Sequence, residues 1–231
     1  MVMEIFAVNL LNPSWFSNYE QLLGLLPLEK QSKLRQFKDI EDSMRGLIAE
    51  MLIRNIIKQK NLRNDYQFKL ATTTFGKPYL PDVENFKFNL SHSEDWVVCA
   101  VDENQIGIDI EKEKLLDLQI AYQFFTKKEC DYIFSLKNHQ MQRFFEIWTL
   151  KESYIKAVGL GLTIPLDSFS IILDSNDSTI RFESESNDTA FYFKQYTIDT
   201  FYKLAVCARG DHFPTEIKQL NVDDLVSKII G

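Results

Sequence analysis

Apolar and polar residues alternate well enough in the opening MEIFAVNL to predict a strand. From Leu28 to Lys60 the spacing changes. Leu34, Phe37, Ile48, Leu52 and Ile56 recur at helix-like intervals, with Lys30, Lys33, Arg35, Lys38 and Arg45 between them, which predicts helix throughout. The glycine and prolines of FGKPYLP (75–81) mark a turn. FKFNLSHS (86–93), WVVCAVD (96–102) and QIGIDIE (105–111) then read as short strands separated by polar turns. Helical spacing returns from about Leu116 to Tyr132 and from about Met141 to Val158, where Gly159, Gly161 and Pro165 close the second run. SFSIIL, TIRFES, AFYFKQYTI and YKLAVCAR follow as antiparallel strands, with the polar stretch 174–178 as a hairpin tip. WVVCAVD near residue 100 echoes YKLAVCARG near 205, and each follows a long helix and a strand-rich stretch. The expected fold is α+β, in two similar halves that meet near residue 105 with room for a ligand between them.

Composition narrows the picture. A chain of 231 residues fits one large domain or two small ones. Its 45% hydrophobic content and 18 Phe point to a packed core rather than disorder. A net charge of −7 argues against a nucleic-acid partner but leaves a small anionic ligand open, since local charge decides that. Cys99, Cys130 and Cys207 are odd in number and form no CxxC pair; Cys99 and Cys207 lie in apolar runs, as buried thiols of a reducing, cytoplasmic protein do. No Lys or Arg precedes Lys30, so the charged start of a secretory signal is not expected. No apolar run approaches the roughly 20 residues that span a bilayer, so no membrane partner is expected either.

Candidate chemistry concentrates in two stretches. In QIGIDIE, strand alternation sends Ile106, Ile108 and Ile110 to one face and Gly107, Asp109 and Glu111 to the other. Neighbouring carboxylates repel unless a cation lies between them, and an all-oxygen donor set suits Mg²⁺. The glycine would admit a substrate close to the backbone. A half-exposed edge strand with its polar side in water gives the same pattern. In the helix over 141–158, Ile147, Leu150, Tyr154 and Ala157 share an apolar face, while Thr149, Glu152, Ser153 and Lys156 share a polar one. Glu152 and Lys156, four apart, also suit a plain surface ion pair. Trp148, Phe124, Phe125, Phe144 and Phe145 read as core.

GIDIE followed some forty residues later by WTLKESYIKAVGLGL, with NLSHS at 89–93 and FGKP at 75–78 upstream, resembles the Sfp-type 4′-phosphopantetheinyl transferases over most of the chain. The resemblance implies two pseudo-twofold-related lobes, each a small antiparallel sheet packed with a long helix: 1–104 for nucleotide contacts and 105–231 for the metal acids and catalytic helix, with the site in the cleft between. It places metal-binding acids at Asp109, Glu111 and Glu152. It places coenzyme A contacts at Lys30, Lys33, Lys77, Ser91, His92, Lys151 and Lys156, with Arg45 beside the basic cluster. Gly46 departs from the family pattern, where the surfactin-activating relative has a threonine.

The implied reaction moves phosphopantetheine from coenzyme A to a serine of an apo carrier protein, with Mg²⁺ neutralising the leaving 3′,5′-ADP and Lys156 beside the phosphoryl group. Glu152 is the expected general base and Glu129 the lesser candidate. A monomer is expected from the same likeness. Two other readings use the same residues: a Mg²⁺-dependent coenzyme A or nucleotide phosphohydrolase, and a non-catalytic module that binds coenzyme A or a carrier domain.

Overall fold

The computed structural model describes residues 2–11, 13–173, 179–184 and 190–231. Strand β1 (Glu4–Asn9) is followed by α1 (Tyr19–Gly24), α2 (Leu28–Arg35) and α3 (Ile40–Gln59). The short strands β2 (Ala71–Thr72) and β3 (Pro78–Tyr79) pair as a hairpin, and β4 (Lys87–Ser93), β5 (Trp96–Asp102) and β6 (Ile106–Lys112) come next. Helices α4 (Ala121–Phe124), α5 (Lys127–Phe134) and α6 (Gln140–Val158) lead to β7 (Phe169–Leu173) and β8 (Ile180–Ser184). Then come β9 (Tyr192–Tyr196), β10 (Tyr202–Ala208), β11 (Lys218–Asn221) and α7 (Val222–Ile230). The fold is α+β, as expected.

Capping chemistry accounts for most departures from the sequence pattern. The helix expected over 28–60 is split, because Asp39 turns extended and its carboxylate accepts the Glu41 N–H at 2.9 Å, starting α3 afresh. The expected helix over 116–132 is instead a 3-10 turn with α4 and α5, since Thr126 and Glu129 form a capping box that begins α5. Helix α6 stops where predicted, at a left-handed Gly159 with φ 78°. The hairpin tip expected at 174–178 lies outside the described residues.

The main sheets run β11-β1-β5-β4 and β6-β10-β9. Leaving β11 aside, β1-β5-β4 and β6-β10-β9 share one order and are antiparallel throughout. Cys99 lies opposite Phe6 and Cys207 opposite Gly107, so the VCA echo falls at equivalent points of the two sheets. The C-terminal tail was not foreseen. β11 pairs parallel with β1, and Val222, Leu225 and Val226 of α7 join the first lobe's core. The expected second lobe of 105–231 therefore gives up its tail to the first.

The two sheets meet through their inner faces. Ile5, Ala7, Val98 and Ala100 pack with Ile106, Ile108, Ile110, Leu204 and Val206. The outer face of the first sheet (Phe6, Val8, Cys99) lies under α3, and that of the second (Ala205, Cys207) under α6. All three cysteines are free and buried. Each fully buried isoleucine of β6 stabilises the fold by roughly 1.5–3 kcal/mol. That fixes the strand's orientation and obliges Gly107, Asp109 and Glu111 to face α6. A Cβ on Gly107 would lie 2.0 Å from the Ser153 carbonyl oxygen and 2.3 Å from the Ala157 nitrogen. The glycine thus admits the α6 backbone, where the sequence suggested a substrate. Both clashing atoms are backbone and cannot rotate away. Gly107→Ala is expected to destabilise the protein by about 1–3 kcal/mol or more, read as a lowered midpoint in denaturant unfolding; an unchanged midpoint would contradict this packing.

Candidate functional site

Between the lobes lies a cleft of about 810 Å³, walled by α2 and α3 on one side and α6 on the other, with β4 and β6 at its floor. Of the residues singled out in the sequence, it gathers Lys30, Ser91, His92, Asp109, Glu111, Glu152 and Lys156. Asp109 is the deepest acid, 3% exposed. Its Oδ1 accepts from Lys156 Nζ at 2.5 Å and from Ser91 Oγ at 2.9 Å, while its Oδ2 is buried without a hydrogen-bond partner. Glu111, two residues on, accepts from Ser93 Oγ at 3.1 Å. Glu152 approaches from α6.

Electrostatics couple these acids. Burial pushes the Asp109 carboxyl above its usual range in spite of Lys156 and Ser91. Burial first, then the negative charge of Asp109, raises both Glu111 and Glu152. Among the described residues no three His, Cys, Asp or Glu side chains form a ready-made metal cage; the Lys156 ammonium sits on Asp109 instead.

The cations of the first lobe are held by acids that the sequence reading passed over. Lys30 pairs with Glu50 at 2.6 Å, and Glu50 is itself held by the buried Arg54. Arg45 pairs with Asp42 at 2.6 Å and reaches the Glu94 carbonyl at 3.4 Å, outside the residues that line the cleft. Lys33 pairs with Glu29 and lines an adjoining cavity of about 250 Å³ that shares Lys30 with the main one. His92 is exposed at the rim. Partial desolvation by the walls, then the charges of Arg45 and Lys156, push its imidazolium below the usual range, so the ring is neutral near pH 7. At Gly46 a Cβ would come 2.8 Å from Leu34 Cδ2, so Leu34 fills the space a side chain would need.

Several expectations change once the side chains are placed. Lys151, expected to touch coenzyme A, is wholly buried. Its ammonium pairs with Glu129 at 2.8 Å and donates to the Leu166 and Phe169 carbonyls at 2.7 and 2.6 Å. With its three donors used, it ties α6 to α5 and to the start of β7, and it does not reach the cleft. Removing one partner of such a pair costs about 3–5 kcal/mol, reason enough for the residue type without a ligand. Glu129 also accepts from the Ile171 N–H and caps α5, which withdraws it as a general base. Lys77, also expected as a contact, donates to the carbonyls of Ile106, Lys156 and Ala157 at 2.9, 2.6 and 3.0 Å and lines a cavity of about 260 Å³ that shares Glu152 and Lys156 with the cleft. It caps the end of α6 from the first lobe. Burial lowers it to about 8, which leaves it mostly protonated at neutral pH for that task. Phe124, read as core, is exposed and lines the cleft; Trp148 packs against the second core as expected, stacked on Phe144 at 5.9 Å and 17°, and also reaches the cleft.

The polar face assigned to α6 also divides. Thr149 and Ser153 are buried and bond back to the carbonyls of Phe145 and Leu150, while Glu152 and Lys156 open to the cleft.

Residues 105–207 match the family model for the 4′-phosphopantetheinyl transferase superfamily. Residues 12–104 match that for 4′-phosphopantetheinyl transferase, N-terminal. The chain is 37% identical to the 4′-phosphopantetheinyl transferase Sfp of Bacillus subtilis (strain 168), covering 97% of this chain and 100% of that one. It is 36% identical to the 4′-phosphopantetheinyl transferase gsp of Aneurinibacillus migulanus, covering 78% of this chain and 75% of that one. Against the L-aminoadipate-semialdehyde dehydrogenase-phosphopantetheinyl transferase of Homo sapiens the identity is 30%, with 93% and 82% covered. The chain belongs to the 4′-phosphopantetheinyl transferase family. Its activity is the transfer of a 4′-phosphopantetheine group.

The clustered acids carry a stability cost with a definite pH sign. The folded pKa of Glu152 lies above its unfolded value, so the folded chain binds that proton more tightly. Stability is therefore lost as pH rises from the ordinary carboxylate range through the raised folded value. Without ligand, Glu152→Gln is expected to melt above the wild type at pH 7, with the gap closing toward pH ~4. Scanning calorimetry across that range checks it; coincident melting at pH 7 would contradict the coupling.

Proposed function

We propose that the protein transfers the 4′-phosphopantetheine arm of coenzyme A to the acceptor serine of an apo carrier-protein domain, releasing 3′,5′-ADP. The observation that carries this reading is one cleft of about 810 Å³ that brings Lys30, His92 and Lys156 against Asp109, Glu111 and Glu152. That volume lies within the range of cofactor-sized sites. Its walls hold Lys30 and Lys156 against Glu50, Asp109, Glu111 and Glu152, so a bound cation is needed before the cleft favours a polyanion.

A divalent cation fits this set of donors. The buried Asp109 Oδ2 lacks a partner, and an orphaned carboxylate oxygen beside two further carboxylates is what such an ion satisfies. An all-carboxylate set suits Mg²⁺ over softer metals. Asp109, Glu111 and Glu152 would hold it, and it would supply charge neutralisation at the pyrophosphate.

The chain's own side chains do the rest. Lys30 and Lys156 attract the anionic phosphates, with Lys33 and Arg45 extending the positive margin. His92 can donate a ring N–H to a phosphate oxygen. Trp148 and Phe124 offer an apolar wall to the pantetheine chain. Glu152, the one acid of the three carried by α6 rather than β6, accepts the proton from the serine hydroxyl directly or through a water. As the serine oxygen bonds to the phosphorus nearer the pantetheine, the bridging P–O bond to 3′,5′-ADP breaks.

Intact-mass analysis of an apo peptidyl carrier domain and an apo acyl carrier protein, each incubated with the protein, coenzyme A and Mg²⁺, tests this reading. A gain of one phosphopantetheine is expected on at least one carrier, abolished by EDTA or by Asp109→Ala. Glu152→Gln is expected to cut turnover by at least about 100-fold while coenzyme A still binds. No gain on either carrier, with coenzyme A bound, would favour a non-catalytic binding module.

A further inference from the structure

β4 and β6 are edge strands of different sheets, yet they lie side by side. What joins them is a row of side chains. Asn89, Ser91 and Ser93 stand at alternate positions of β4 and so share one side of it. Each accepts an outward-facing N–H of β6: Ile108 N to Asn89 Oδ1 at 2.9 Å, Ile110 N to Ser91 Oγ at 3.4 Å and Lys112 N to Ser93 Oγ at 3.0 Å. An unpaired N–H at a buried edge costs about 1–3 kcal/mol, so these contacts close the seam.

The two serines do more than close it. A hydroxyl carries one donor besides its acceptor lone pairs, so it can take a backbone N–H and still donate. Ser91 donates to Asp109 and Ser93 to Glu111, each acid lying between the β6 residues whose N–H groups the seam engages. Opposite Gly107, where no carboxylate exists, the position is filled by Asn89. Asp109 has Lys156 as a second donor, whereas among the described residues Ser93 is the one hydrogen-bond donor to Glu111. Ser93 is half-buried and is absent from the residues that line the cleft.

We infer that Ser93 is a positioning residue for Glu111: its hydroxyl fixes that carboxylate relative to Asp109 and thereby sets the affinity of the site for a divalent cation. The inference rests on the proposed cation reading of the three acids. Ser93 acts through Glu111 and touches neither substrate nor leaving group.

The test measures Mn²⁺ binding to the full chain in the presence of coenzyme A by electron paramagnetic resonance, beside the Mg²⁺ concentration that gives half-maximal transfer. Ser93→Ala is expected to weaken Mn²⁺ about tenfold or more and to raise the Mg²⁺ requirement in parallel, as loss of a partner behind a ligand does. Ser93→Thr, which keeps the hydroxyl, is expected to stay near the wild type. In a Glu111→Ala background the Ser93→Ala change is expected to add nothing. Thermal melts confirm that each variant is folded. Mn²⁺ binding by folded Ser93→Ala equal to the wild type overturns the inference alone. No Mn²⁺ binding by the wild type overturns the cation reading, and the inference falls with it.

Discussion

The contact on which the site depends is the backbone-to-backbone approach of α6 to β6 at Gly107. With no side chain on that residue, Ser153 and Ala157 of the helix come down onto the strand. Glu152 and Lys156, carried on the same turns, then reach the acids that β6 turns toward the helix. A helix seated even one side chain higher would separate Glu152 from Asp109 and leave Lys156 short of its partner. Lys77 fastens the arrangement from the other lobe by binding the last carbonyls of α6 together with that of Ile106.

The two lobes show how a site arises on a repeated scaffold. Register makes Phe6 the counterpart of Gly107 and Val8 the counterpart of Asp109, since each pair lies opposite equivalent residues of β5 and β10. In the first lobe those positions are apolar and pack under α3. In the second they are a glycine and an acid under α6. The same face that builds core in one half gathers carboxylates in the other, at a desolvation cost that shows in the raised Asp109, Glu111 and Glu152. Cations in the cleft begin paired with the protein's own acids, Lys30 with Glu50 and Lys156 with Asp109. The lysines are thereby held in place before any anion arrives, and an anion must share them with these acids.

Much of this was legible in the sequence because it rests on local rules. Strand alternation in GIDIE and the glycine stop after α6 each follow from a few neighbouring residues, and the VCA echo marks a real repeat of strand order. What the sequence concealed depends on distant partners. Nothing in the letters around Lys151 shows that Glu129 and two carbonyls absorb its ammonium, or that Lys77 caps a helix in the other lobe. NLSHS was legible as a functional block, yet its alternating Asn89, Ser91 and Ser93 serve the β6 edge, a role visible only once two strands from different sheets lie side by side. The return of β11 and α7 to the first lobe was hidden for the same reason: a short strand shows no partner until it pairs.

The measurement that bears most directly on the central claim is titration calorimetry of coenzyme A into the protein, with and without Mg²⁺, for the wild type and for Asp109→Ala. On the proposed cation reading, Mg²⁺ is expected to tighten coenzyme A binding in the wild type and to have no such effect in the variant, because the ion and the pyrophosphate would meet at the carboxylates under α6. Equal affinity with and without Mg²⁺ in the wild type would contradict it, and would leave the buried, unpartnered oxygen of Asp109 without a purpose in the reaction.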